Sequence, residues 1–166
     1  MEDTYEQLAE RNGWNYSLVG NRPYFMKNGK YAVPDDTTSE EDKMLLAQII
    51  CEGSIEMAQL IILCWNNGIT ISGPCSGIKE FHQNQQIVLH FSFTASKELI
   101  EPLYQHLKEI LPTFNHMCRQ QEDSIRYDIN YSLNGKELSK EESDQIFRTI
   151  RNQLSYELEN SVIKTR

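Results

Sequence analysis

The densest chemistry in this 166-residue chain lies in one turn, Ser72-Gly73-Pro74-Cys75-Ser76-Gly77. Two hydroxyls and a thiol stand there among two glycines and a proline. Glycine admits positive φ and lets a ligand come close to the backbone. Successive N–H groups in such a turn can form an anion-binding nest. Ser72, Gly73, Cys75, Ser76 and Gly77 are therefore the candidate ligand-binding residues. Cys75 would act as a nucleophile if a nearby cation lowered its pKa. The imidazoles that could assist it are His82 and His90, so Cys75, His82 and His90 form the candidate catalytic set. Spacing fixes no acid or base beside Cys75. The preferred reading is a tight turn with an inert thiol.

The four cysteines, Cys51, Cys64, Cys75 and Cys118, include no C-x-x-C pair. This excludes a zinc ribbon and a dense disulfide framework, and reduced thiols are expected. His116 and Cys118 stand two apart on a strand and share a face. With Cys75 or His82 they could complete a tetrahedral site, but no spacing demands it. Neither a metal nor a cofactor is expected. Glu141-Glu142 reads as a complement to a helix dipole. There is no P-loop, dinucleotide-binding glycine pattern or H-E-x-x-H.

Charge gives a second kind of candidate. Sixteen basic against 24 acidic residues leave a net charge of -8, which argues against direct nucleic-acid binding. Residues 1–67 carry 11 acidic and 5 basic side chains, and residues 68–166 carry 13 and 11. The first part is the more anionic, through Asp35, Asp36, Glu40, Glu41 and Asp42. These five are the candidate interaction surface, an anionic face suited to a basic groove on another protein. Mean hydropathy is -0.56, and no apolar run approaches the roughly 20 residues of a membrane helix. Met1-Glu2-Asp3 does not read as a secretory leader. A cytoplasmic protein with no membrane contact is expected.

The elements that must position these residues follow from local rules. A short helix is expected over Tyr5–Glu10, stopped near Gly13. Three short strands follow, Asn15–Val19, Arg22–Met26 and Lys30–Val33, the last two joined by Asn28-Gly29, a strong hairpin signal. Trp14, Tyr16, Tyr24, Phe25 and Tyr31 line this meander. It is too small to stand alone and must pack on the rest of the chain or on a partner. Ser39 with Asp42 starts a helix near Glu40. Apolar residues recur at helical spacing from Leu46 to Trp65, and Gly53-Ser54 kinks or splits the run. A strand over Ile69–Ser72 leads into the Cys75 turn, and a polar loop, Lys79–Gln86, into a strand over Ile87–Thr94. A helix over Leu99–Leu111 tolerates Pro102 only in its first turn. Thr113–Arg119 and Ser124–Leu133 read as a hairpin. Ser139 and Glu142 form a capping box for a last helix with an apolar stripe through Phe147, Ile150 and Leu154. That long stripe serves either the core or a dimer face.

The stretch from Gly68 to Gly77 resembles the Ser-Cys-Ser-Gly-Arg signature of the wybutosine-synthesis tRNA methyltransferase family. Cys75, Ser76 and Gly77 match it, while Pro74 replaces a serine and Ile78 the arginine. The resemblance implies an α/β fold, S-adenosylmethionine as cofactor and a tRNA-modification-like activity at the Cys75 loop. Losing the arginine removes the natural phosphate partner. The pattern also resembles small bacterial or phage proteins, which implies no activity.

The residues themselves point to an α+β fold, an antiparallel β-sheet packed with helices. Residues 1–34 form an N-terminal helix and β-meander, 35–39 a linker, and 40–166 the α+β domain. The favoured function is a non-enzymatic protein-interaction or regulatory module of bacterial or phage type, a homodimer in one form. Its specific version is an acidic, anti-defence-like inhibitor of a nucleic-acid-binding protein. The alternative is a small-ligand-binding protein or enzyme using the Cys75 loop.

Overall fold

A computed structural model of the chain describes residues 4–20, 22–50, 55–72, 80–82, 85–133 and 139–164. The first helix, α1 (Tyr5–Asn12), opens on a complete capping box. The Gln7 amide donates to the Thr4 hydroxyl at 3.1 Å and the Thr4 amide to the Gln7 side chain at 2.9 Å. Three antiparallel strands follow, β1 (Asn15–Val19), β2 (Arg22–Lys27) and β3 (Lys30–Tyr31). Asn28 and Gly29 both have positive φ, 54° and 77°. That is the two-residue turn whose twist matches a hairpin.

The helices α2 (Glu40–Ile50) and α3 (Ile55–Asn66) are two elements, as Gly53-Ser54 suggested, and the joint at 51–54 lies outside the described residues. Next come β4 (Thr70–Ser72), β5 (Glu80–His82), β6 (Gln85–Ala95), α4 (Lys97–Ile110), β7 (Asn115–Gln120), β8 (Ile125–Leu133) and α5 (Lys140–Lys164). The second sheet has the order β4-β6-β8-β7, and β5 also pairs with β6. All its pairings are antiparallel. The chain is therefore α+β, as expected.

Two readings need correction. Residues 80–82 form a strand instead of a polar loop, because Glu80, Phe81 and His82 pair with Ile87, Gln86 and Gln85. Pro102 stands in the second turn of α4, not the first. A proline there removes one backbone hydrogen bond, yet Leu99, Ile100, Leu103 and Leu107 are all buried and hold the helix in place.

Among the described residues there are two hydrophobic cores. The larger joins Phe91, Phe93, Tyr127 and Ile129 of the second sheet to Met57, Leu60 and Ile61 of α3, Ile100 and Leu103 of α4, and Phe147, Ile150 and Leu154 of α5. The apolar stripe of α5 thus faces its own core. Val162 lies among residues whose side chains are not described. Glu56 ties α3 to α5, accepting from Arg148 at 2.8 Å and Arg151 at 2.9 Å. The smaller core holds Leu8, Ala9, Trp14, Phe25 and Ala32 against Leu46 of α2. The meander therefore packs on its own chain through one face.

Candidate functional site

Register sorts the meander's aromatic residues. Tyr16 pairs with Phe25, and Ser17 with Tyr24; successive side chains on a strand point to opposite faces. The inner face carries Tyr16 and Phe25, with ring centroids 5.6 Å apart, and Trp14 lies against Phe25 at 6.1 Å. The outer face carries Val19, Tyr24, Met26 and Tyr31. Tyr24 and Tyr31 stack at 6.3 Å with planes 28° apart. Tyr31 is 69% exposed and Val19 64%. Val33, where the chain leaves the sheet, is also exposed.

The five acidic candidates follow the meander in the chain and differ in what they do. Asp35 builds the turn that follows Pro34. Its carboxylate accepts from the Thr37 amide at 2.8 Å and the Thr37 hydroxyl at 2.5 Å. Those bonds, with the nearby Lys27, lower its pKa. Asp42 receives Arg11 at 2.8 Å and Asn12 at 2.9 Å, tying α2 to α1. The Arg11 hydrogen bond, followed by that of Asn12, holds its carboxyl below the ordinary range. Glu40 pairs with Lys43 at 3.1 Å. Asp36 and Glu41 are exposed. Asp35 and Asp42 thus have structural duties, and Asp36, Glu40 and Glu41 supply the outward charge.

The Cys75 turn, with Gly73, Ser76 and Gly77, lies outside the described residues. The backbone places Ser72 opposite Ser92, His82 opposite Gln85 and His90 opposite Asn130. The side chains of Ser72, His82 and His90 are outside the described residues as well.

His116 has both ring nitrogens engaged. Nε2 lies 2.8 Å from the Leu111 carbonyl, which can only accept, so this nitrogen carries the proton. Nδ1 then accepts from the Tyr127 hydroxyl at 2.6 Å. Burial raises the Tyr127 pKa and keeps that hydroxyl protonated as the donor. The side chain is thereby committed to joining the end of α4 to the sheet. Among the described residues no group of three or more His, Cys, Asp or Glu is placed to hold a metal ion. Cys64 is buried, which pushes its thiol pKa well up. Cys118 is exposed, and partial burial followed by Asp128 and Glu101 raises its pKa. Neither has the electropositive surroundings that activate a thiolate.

Two polar clusters were not anticipated. On the face of the second sheet opposite the larger core, Ser92 bonds Asp128, and Arg126 reaches Asp128 at 3.3 Å and the Ser92 hydroxyl at 3.3 Å. Ser92 stands directly opposite Asp128. The alternation of β6 and β8 marked these side chains as one polar face, but pairing them needed the register. Between α4 and α5, the buried Glu157 carboxylate meets His106 and accepts from Gln153 at 2.9 Å. A polar residue on the last helix's inner side gave no sequence signal beyond its spacing from Leu154.

Among the described residues, no helix is long and apolar enough to cross a membrane. Comparison of the chain with protein-family models, curated proteins and solved structures finds no match.

Proposed function

We propose that this chain is a non-enzymatic protein-interaction module that docks through the outer face of its N-terminal sheet. The observation that carries this reading is the stack of half-buried Tyr24 on exposed Tyr31, with Val19 and Val33 also exposed and the acidic turn next in sequence. Exposed aromatic and aliphatic side chains grouped on one face are the usual centre of an interface. A stacked tyrosine pair gives much contact area for little lost side-chain freedom. Asp36, Glu40 and Glu41 follow it in the chain and carry negative charge, which steers a positively charged partner. The partner is therefore a protein with an apolar patch inside a basic surface. A nucleic-acid-binding groove has that character, and an acidic inhibitor of bacterial or phage type that occupies such a groove is the specific form of the proposal.

The test is capture from a lysate of the source organism with three baits: the natural chain, a Tyr24→Ser/Tyr31→Ser variant and an Asp36→Lys/Glu41→Lys variant. A protein held by the first and lost by both variants, with unchanged circular dichroism, is expected. Adding the chain should also reduce that protein's affinity for DNA or RNA. A partner retained by both variants but lost on Cys75→Ser would replace this reading with one centred on the Cys75 loop.

A further inference from the structure

The chain holds four Asn-Gly pairs, Asn12-Gly13, Asn28-Gly29, Asn67-Gly68 and Asn134-Gly135. Asparagine is chemically labile, most of all before glycine, whose nitrogen no Cβ shields. That nitrogen can attack the asparagine Cγ. The N–Cγ bond forms, the bond from Cγ to the side-chain nitrogen breaks, and the glycine amide proton leaves with that nitrogen as ammonia. Water then opens the cyclic imide. Cleavage at Cγ gives aspartate. Cleavage at the main-chain carbonyl gives isoaspartate, in which the chain runs through the former side chain.

The last pair lies outside the described residues. The structure separates the other three. Asn12 and Asn67 stand at helix C-termini with both reacting groups held. The Asn12 carboxamide donates to the Leu8 carbonyl at 3.0 Å and to Asp42 at 2.9 Å, and the Gly13 amide donates to the Glu10 carbonyl at 3.3 Å. The Asn67 carboxamide donates to the Leu63 carbonyl at 2.8 Å, and the Gly68 amide to the Trp65 carbonyl at 3.4 Å. Asn28 and Gly29 are both exposed. Among the described residues, neither the Asn28 carboxamide nor the Gly29 amide has a hydrogen-bond partner.

We infer that Asn28 is the site at which the folded chain deamidates among these three pairs, and that its isoaspartyl product unfastens the N-terminal hairpin. At φ 54° Asn28 is in the left-handed conformation, which turns the next nitrogen away from the side chain. The ring therefore closes only when the turn opens. Opening there is local. β3 pairs with β2 at two positions and is exposed, while behind it the Ala32 amide is bonded to the Phe25 carbonyl at 2.9 Å. Opening at Asn12 or Asn67 must also break a carboxamide bond at the end of a helix that carries buried Ala9 or Cys64.

The two products act in opposite directions. Aspartate before glycine fits the same two-residue turn, and it adds a negative charge between Lys27 and Lys30, like charges that stand directly opposite each other. Isoaspartate adds a main-chain atom to a turn whose length sets the register. The pairing of Met26 with Tyr31, and with it the Tyr24–Tyr31 stack, should then be lost. This chemistry is independent of any partner on that face.

The full chain is incubated at mildly alkaline pH, folded and in urea, then digested with pepsin in acid, where ring closure is slow. Mass spectrometry reads the fraction converted at each pair. In the folded chain Asn28 should convert about tenfold faster or more than Asn12 and Asn67, and in urea the three should convert at comparable rates. Asn12 or Asn67 keeping pace with Asn28 in the folded chain overturns the assignment. So does an Asn28 that stays intact while the urea sample converts. Hydrogen exchange reads the consequence: amides of β2 and β3 should lose protection in the isoaspartyl fraction and keep it in an Asn28→Asp variant. Equal protection in the two would overturn the loss of register.

Discussion

Truncating Leu46 to alanine should loosen the N-terminal sheet while leaving the second sheet closed. Leu46 is the α2 side chain on which the smaller core is built, 1% exposed among Leu8, Trp14 and Phe25. A fully buried Leu→Ala change costs about 2–5 kcal/mol, more where the surroundings cannot collapse. Here the neighbours are two aromatic rings held edge to face at 6.1 Å and a helix fixed at both ends by caps. Little relaxation is available, so about 3 kcal/mol is the expected loss. Leu46 does not belong to the larger core, so the loss should fall on local opening of α1 and the meander. Since 1.4 kcal/mol is a factor of ten, amides of β1 and β2 should exchange about a hundredfold faster, with those of β6 and β8 nearly unchanged. Native-state hydrogen exchange reads both sheets in one experiment, and Ile150→Ala, in the larger core, is the control that should accelerate β6 and β8. Equal acceleration of both sheets by Leu46→Ala would refute the division into two cores.

Two further outcomes follow from individual side chains. Asp42→Asn should lower stability at neutral pH by about 1 kcal/mol, because the pair with Arg11 is partly exposed and the Asn12 bond adds to it. The Asp42 pKa is lower in the folded state, so its contribution is present above the ordinary carboxylate range and disappears as pH falls through the folded value. Urea midpoints of the two proteins should therefore differ at pH 7 and converge near about pH 2; a constant gap would rule out the ion pair as the cause. In a chain with Cys51 and Cys75 replaced by serine, an aromatic disulfide reagent should label Cys118 more slowly than free cysteine and leave Cys64 untouched until unfolding, since both thiol pKa values are raised. Rapid labelling of Cys64 in the native protein would contradict its burial.

Much of the fold was readable because its signals are local. The capping box at Ser139 forms with both of its hydrogen bonds, 3.1 and 3.3 Å. The strict alternation in β8 buries Ile125, Tyr127 and Ile129 and leaves Arg126, Asp128 and Asn130 on the polar side. Non-local contacts set the limits of that reading. The Ser39 hydroxyl caps α2 at 3.1 Å as expected, but Asp42 turns its carboxylate to Arg11 and Asn12 on another helix. Sequence spacing cannot weigh a neighbour 31 residues away. A strand of three residues such as β5 is too short for an alternation to mark it, so only its partner reveals it. The spacing of His116 and Cys118 left a metal site open without demanding one, and the two groups that occupy the His116 nitrogens come from the end of α4 and from β8.

The aromatic meander shows most clearly what register adds to composition. Tyr24 and Phe25 are neighbours, and their chemistry alone does not say which one belongs inside. The Asn28-Gly29 turn sets Met26 opposite Tyr31 and Lys27 opposite Lys30. That pairing puts Phe25 under the sheet and Tyr24 beside Tyr31 on top. A slip of one residue would exchange the two faces, burying two hydroxyls without partners and exposing the phenylalanine. The unfavourable burial of unpaired hydroxyls and the fixed twist of the turn oppose that slip together. The docking face proposed for this chain therefore depends on the same turn that builds its smaller core: of the neighbours Tyr24 and Phe25, the core takes Phe25, and Tyr24 lies with Tyr31 on the outer face.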